Sequence, residues 1–127
     1  KRADFNAGLF TQFAPRIGQW SLPGGAQHVG ERAEEAARRE LREEASIEVG
    51  PLALAYVFDA INEDEDGRAR YHYTIIDFAA HWLDGEACAG DDVSEVAWAL
   101  PHELEAYELT EAAHEAIAAA RVALGLR

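Results

Sequence analysis

The sequence predicts an α/β/α sandwich, and three observations carry that expectation. A Pro23-Gly24-Gly25 turn leads into one glutamate-rich, amphipathic helix near residues 31–45. β-forming residues then fill two long stretches and one short one between Leu52 and Leu100. An alanine-rich helix closes the chain. Helices with one apolar stripe, interleaved with strands, bury their faces by layering. The 127 residues suffice for one domain with a core, expected to span 1–127. With 49% hydrophobic and 28% charged residues, the balance is that of a soluble globular protein. No apolar run is long enough to cross a membrane, and no secretory signal is visible. The single cysteine, Cys88, cannot form an internal disulfide, which fits a reducing cytoplasm. A net charge of −13 argues against nucleic acid as a partner, because such binding sets Lys and Arg against phosphates. It leaves room for a small phosphate compound that arrives with metal ions.

Taken in order, Lys1 to Gln19 holds Leu9, Phe10 and Phe13 without a clean period. Gly8 to Phe13 reads as an edge strand in one version. The glycines after Pro23 allow backbone geometries closed to other residues. From about Glu31 to Ala45 the residues Ala33, Ala37 and Leu41 repeat every four positions and make a narrow apolar stripe. Glu31 at the start suits the positive end of the helix dipole. Ile47-Glu48-Val49 begins a strand that Gly50-Pro51 interrupts. Leu52 to Ile61 reads as a strand through Tyr56, Val57, Phe58 and Ile61. Asn62 to Gly67 is an acidic turn with an Asp-Gly hairpin signal. Arg70 to Leu83 reads as one long second strand, ended by Asp84-Gly85. Glu86 to Asp92 is a loop, and Ser94 to Leu100, with Trp98, a short strand. Pro101 to Ala106 is a helical turn with proline at its favoured first position. Thr110 caps the last helix, which sets Ala113, Ile117, Ala120 and Leu124 on one face.

The chemistry gathers on the first helix. Residues three and four apart share a helical face, so Glu40, Glu43 and Glu44 project together. Like charges at that spacing destabilise a helix by roughly 0.2–0.5 kcal/mol per pair. A hard divalent cation reverses the sign, since Mg²⁺ takes oxygen ligands and a few carboxylates. An ordinary solvated acidic face is the alternative.

The spacing distinguishes the two. Gly25, five residues, Glu31, seven residues, Arg39-Glu40-Leu41, one residue, Glu43-Glu44, one residue, Ser46-Ile47: this resembles the signature of the Nudix hydrolases. Ser46 is the one departure, standing where the pattern has its second glycine. The preceding Trp20-Ser21-Leu22-Pro23-Gly24-Gly25 also resembles the family's lead-in. The resemblance implies an α/β/α sandwich around a mixed β-sheet, and hydrolysis of a nucleoside diphosphate linked to a further moiety X. It implies Mg²⁺ (or Mn²⁺) held by Glu40, Glu43, Glu44 and the Gly24 carbonyl. It also implies a structural role for Gly25 and a pairing of Glu31 with Arg39. Arg39 then holds a neighbouring carboxylate by bidentate bonds; a plain surface salt bridge is the alternative. In relatives a strand precedes the box, and Lys1-Arg2 resembles its basic end. On that reading the strand's body lies upstream of residue 1 and the chain is incomplete. A small nucleotide partner is implied, and a homodimer is left open.

The general base is not fixed by the box. Glu43 within it, and Asp91, Asp92 and Glu95 before and on the last strand, are the candidates, with Glu95 preferred outside the box. Arg2 and Arg16 are candidates for a substrate phosphate, or are plain surface residues. The histidines show no metal-ligand spacing; His72 either lines a pocket or is a satisfied sheet residue. Tyr71, Tyr73, Phe58 and Trp82 either stack a ring or serve the core. Serine at position 46 takes the left-handed conformation less readily than glycine, so a shifted helix end is expected. Where some ADP-ribose enzymes of the family carry a downstream proline, this chain has Asn62-Glu63. Where dinucleoside-polyphosphate enzymes carry a tyrosine, it has Asp64-Glu65. No substrate-binding residue follows from the sequence. Two rivals remain: a catalytically inactive Nudix-fold module that binds a nucleotide, and an interaction domain with a merely acidic helix.

Overall fold

The computed structural model describes residues 8–13 (as backbone), 20–90 and 93–126. Strands β1 (Gly8–Phe13) and β2 (Trp20–Ser21) precede helix α1 (Ala33–Ala45). Then follow β3 (Glu48–Val49), β4 (Ala53–Glu63), β5 (Ala69–Ala79), β6 (Trp82–Asp84) and β7 (Val93–Ala99). A 3-10 helix (Pro101–Ala106) and helix α2 (Glu111–Ala123) complete the α/β fold. The described strands make three antiparallel sheets, β2-β1-β7, β3-β6 and β4-β5.

Helix α1 starts at Ala33, two residues later than its charge pattern predicts. The Glu35 carboxylate accepts from the Arg32 backbone N–H at 2.8 Å and fixes Arg32 as the cap. Glu31 stays outside the helix and turns its carboxylate to the His28 N–H, 2.9 Å away. At the other end the expected shift does not occur. Ser46 adopts the left-handed conformation itself (φ 59°, ψ 36°) directly after Ala45. The orphaned carbonyls there are taken by backbone of the loop after β6: Cys88 N–H donates to Ala45 and Gly90 N–H to Glu44, both at 3.0 Å. A side chain at Gly85 would collide with the Ser46 carbonyl, and one at Gly90 with that of Glu43. Both glycines are therefore dictated by close approach to the helix end.

Gly8 to Phe13 is a strand, but a central one, between β2 and β7 rather than at an edge. The long strand expected over Arg70 to Leu83 divides at Ala80-His81. There the chain changes partners: β5 pairs with β4, while β6 pairs with β3 and the His81 carbonyl accepts from Gly50 N–H at 2.9 Å. The β4–β5 hairpin closes through Asp64, whose side chain accepts from the Asp66 and Arg68 amides, with Gly67 at φ 77°. Thr110 caps α2 as expected, accepting from Ala113 N–H at 3.1 Å. The tightest core is built from small residues, Ala36, Ala45, Ala79, Ala99 and Ala116, with Ile47 and Val93. No helix among the described residues is long and apolar enough to cross a membrane.

Candidate active site

Arg39 organises the site. Its Nε and Nη2 grip the two Glu31 oxygens at 2.8 and 3.0 Å, a bidentate pairing. Nη2 also donates to the Ala26 carbonyl at 2.9 Å. Nη1 donates to Glu40 at 2.8 Å and to Glu43 at 3.0 Å. All five guanidinium donors thus have an acceptor. The network ties the segment before the helix to two of the helix's own carboxylates. The guanidinium, followed by the His28 amide, lowers the Glu31 pKa from 4.5 to about 2. In return the carboxylates raise that of Arg39.

Glu40 and Glu44 lie one turn apart on α1 and meet. The two side chains share a hydrogen bond. That bond, and after it Arg39, holds Glu40 below the usual carboxylate range, against the opposing effect of burial. Glu44 is only 4% exposed, and its Oε1 accepts from Gly24 N–H at 3.3 Å. A Cβ on Gly25 would stand 2.5 Å from Glu40 Oε1. Glycine at 25 is the condition for the Glu40 carboxylate to lie against this turn. Gly24, Gly25, Glu40 and Glu44 therefore form one oxygen-rich corner.

Glu43 does not join it. Its side chain is 44% exposed and paired to Arg39 at the i,i+4 spacing. The three carboxylates that helical spacing sets on one face are split two and one, because the arginine claims the third. Among the described residues, no group of three Asp, Glu, His or Cys side chains is arranged to hold a cation.

Glu95 sits exposed on β7, opposite Gln12, and is not among the residues lining the cavity described below. Asp91, Asp92, Lys1, Arg2 and Arg16 lie outside the described residues. His72 is a sheet histidine on the exposed face of the hairpin, bonded to Asp59 at 3.1 Å. Tyr71 and Tyr73 are exposed and contact each other, ring centres 5.2 Å apart. The Trp82 indole donates to the Gly85 carbonyl. Cys88 is exposed.

A cavity of about 970 Å³ adjoins the Glu40 corner. Gly24, Gly25 and Glu40 line it, as do Trp98 of β7, Leu104 and Arg121 of α2. Its volume falls at the upper end of the range for small-molecule sites, about 300–1,000 Å³. Trp98 Nε1 and Arg121 Nη1 are buried without a hydrogen-bond partner. Sequence reasoning assigned neither a role. Trp98 reads as a strand residue and Arg121 as part of a helix, and orphaned burial leaves no trace in spacing.

A NUDIX domain profile matches residues 5–120. The chain is 35% identical over 126 residues to a protein of Salmonella paratyphi B described as nucleoside triphosphatase NudI, spanning 93% of this chain and 82% of that one. Among solved structures it resembles a MutT Nudix hydrolase from Burkholderia pseudomallei, with a TM-score of 0.74 and 28% identity, covering 91% of this chain and 88% of that one. The NUDIX domain of Shewanella oneidensis NrtR, solved with ADP-ribose, has the same fold at a TM-score of 0.73. It is 21% identical, over 91% of this chain and 76% of that one.

Proposed function

The chain belongs to the Nudix hydrolase family, acting on phosphoric anhydrides, and we propose that it cleaves the pyrophosphate bond of a nucleoside diphosphate linked to X. A nucleoside triphosphate, in which X is phosphate, is the foremost substrate. The relatives described as nucleoside triphosphatases, similar over most of both chains, support that choice. The observation that carries the reading is the Glu40–Glu44 corner at Gly24-Gly25, held in place by Arg39.

That corner suits a hard cation: it offers carboxylate oxygens, one of them on a nearly fully buried residue, beside a glycine whose missing Cβ leaves the space. Glu40 and Glu44 would hold Mg²⁺ or Mn²⁺, with the Gly24 carbonyl, and with Glu43 once it swings from Arg39. Bound there, the metal would neutralise pyrophosphate charge and lower the pKa of a bound water. Arg39 is a positioning residue, keeping Glu31, Glu40 and Glu43 in register with the glycine turn. A carboxylate would take the proton from the attacking water; Glu43, beside the corner, is the candidate for that step, and Glu95 would have to come in from outside the cavity lining.

The test is phosphate-product release from a panel of nucleoside triphosphates and diphosphate derivatives, with and without Mg²⁺ or Mn²⁺. Metal-dependent release from at least one compound is expected. A nucleotide-binding module without turnover is the second reading, favoured by the absence of three converged acids among the described residues. Saturable nucleotide binding with no product from any compound would establish it instead.

A further inference from the structure

A triphosphate approaching the Glu40 corner meets charge of its own sign. The chain carries a net charge of −13, and the corner itself is made of two carboxylates. A divalent cation offsets part of this, and sites for phosphoryl groups add fixed cationic donors for the remaining oxygens. Two cationic side chains act on Glu40. After the hydrogen bond from Glu44, first Arg39 and then His28 hold its carboxylate below the usual range. Arg39 has nothing left to offer, because each of its five donors already has an acceptor in the protein. The neighbouring arginines of α1 are also spent, Arg38 on the Val49 and Gly50 carbonyls and Arg42 on Glu48. His28 differs from all three. It is exposed, and among the described residues its ring has no hydrogen-bond partner.

The backbone of His28 is nevertheless fixed. Its N–H donates to the Glu31 carboxylate at 2.9 Å, and its carbonyl accepts from Glu31 N–H at 3.0 Å. Glu31 is gripped by Arg39, which also binds Glu40. The same network that shapes the corner therefore sets where His28 stands and leaves its ring unengaged. In either protonation state an imidazole has an N–H to donate. His28 is not among the residues lining the cavity, so it meets the part of a ligand that stays on the solvent side of the corner. Resting on the hydrolase reading above, we propose that His28 is a substrate-binding residue that donates to the terminal phosphate of a nucleoside triphosphate, and so makes the site prefer an anionic X, phosphate, to an uncharged sugar. Hydrogen bonds to a phosphate oxygen are charge-assisted and stronger than those to a neutral hydroxyl.

The test measures kcat and KM, with Mg²⁺, for two matched pairs, UTP with UDP-glucose and GTP with GDP-mannose. It uses the wild type, His28→Ala and His28→Lys. The wild type is expected to favour the triphosphate of a pair by at least about tenfold in kcat/KM. His28→Ala should raise KM for the triphosphate about tenfold, with kcat held within about threefold and the diphosphate sugar changed by less than about twofold. His28→Lys keeps a cationic donor and should bring KM back to within about threefold of the wild type. A purely structural role would move both members of a pair alike and would not be rescued by lysine. A wild-type ratio near one, equal effects on both members, an unchanged KM in His28→Ala, or failure of the lysine rescue overturns the inference and leaves the hydrolase reading standing. Absence of turnover on every compound overturns the hydrolase reading instead. Calorimetric binding of the α,β-imido triphosphates and of the diphosphate sugars to the same proteins then decides the role of His28 on its own, by the same criteria.

Discussion

Two arginines of this protein are used in opposite ways. Arg39 has an acceptor for each of its five donors, four of them oxygens of three glutamates. Arg121 keeps Nη1 buried with none. A saturated guanidinium is a fixed part of the scaffold: it has no hydrogen bond left to offer a ligand, and removing it releases several carboxylates at once. An unsaturated one carries an unmet hydrogen bond that weighs against the fold. The contrast separates a group that holds the Glu40 corner in shape from one whose donor the fold leaves unsatisfied.

The sharpest way to break this division is at the corner itself. Glu44→Gln keeps size and burial but removes the carboxylate; turnover should fall by more than about 100-fold with little change in melting temperature. Near wild-type turnover would remove Glu44 from the chemistry. Arg39→Lys comes next. Lysine cannot reproduce the bidentate grip on Glu31, so turnover should drop by about 10–100-fold and the melting temperature should fall. Unchanged turnover in Arg39→Lys would remove Arg39 from the positioning role. Gly90→Ala forces a methyl group against the Glu43 carbonyl and should destabilise by about 1–3 kcal/mol in denaturant titration.

A pH series sharpens the scaffold end. Glu31 is held at about 2 in the folded protein against 4.5 as its ordinary value. A depressed carboxylate contributes stability in full above about pH 4.5, and that contribution is lost as pH falls toward 2. The melting-temperature gap between wild type and Glu31→Gln should therefore be constant at neutral pH and close below pH 4.5. A gap that widened on acidification would contradict the Arg39–Glu31 pairing. The smallest effect is expected at Ser46. Its left-handed backbone costs a non-glycine residue roughly 1–2 kcal/mol, so Ser46→Gly should stabilise by about 1 kcal/mol and leave turnover unchanged.

The box was the most legible part of the chain because local rules determine it. Arg39 reaches Glu43 through helical periodicity, and Thr110 and Pro101 begin helices through capping chemistry that operates within four residues. What was misread depends on partners distant in sequence. Gly8 to Phe13 has no period that marks it as central; its neighbours β2 and β7 do. Nothing within Arg70 to Leu83 announces the break at His81, since the carbonyl there is claimed by Gly50, thirty-one residues earlier. Ser46 was expected to move the helix end because glycine is cheaper there. The loop at Cys88 and Gly90, bonded to the last carbonyls, holds the end in place. The even grouping of Glu40, Glu43 and Glu44 follows from geometry alone, and one ion pair suffices to divide it.

Two surface loops of this protein are alike in composition, both short, acidic and glycine-containing. Their tolerance of inserted sequence should nevertheless differ sharply. Among the described residues, the turn at Asp64 to Arg68 hydrogen-bonds only its own backbone, so a peptide epitope placed between Asp66 and Gly67 would extend into solvent and leave the bonds outside the hairpin tip in place. The same epitope between Cys88 and Ala89 would draw two amides off the end of the glutamate helix. Of the two, only the first is a place to attach a label.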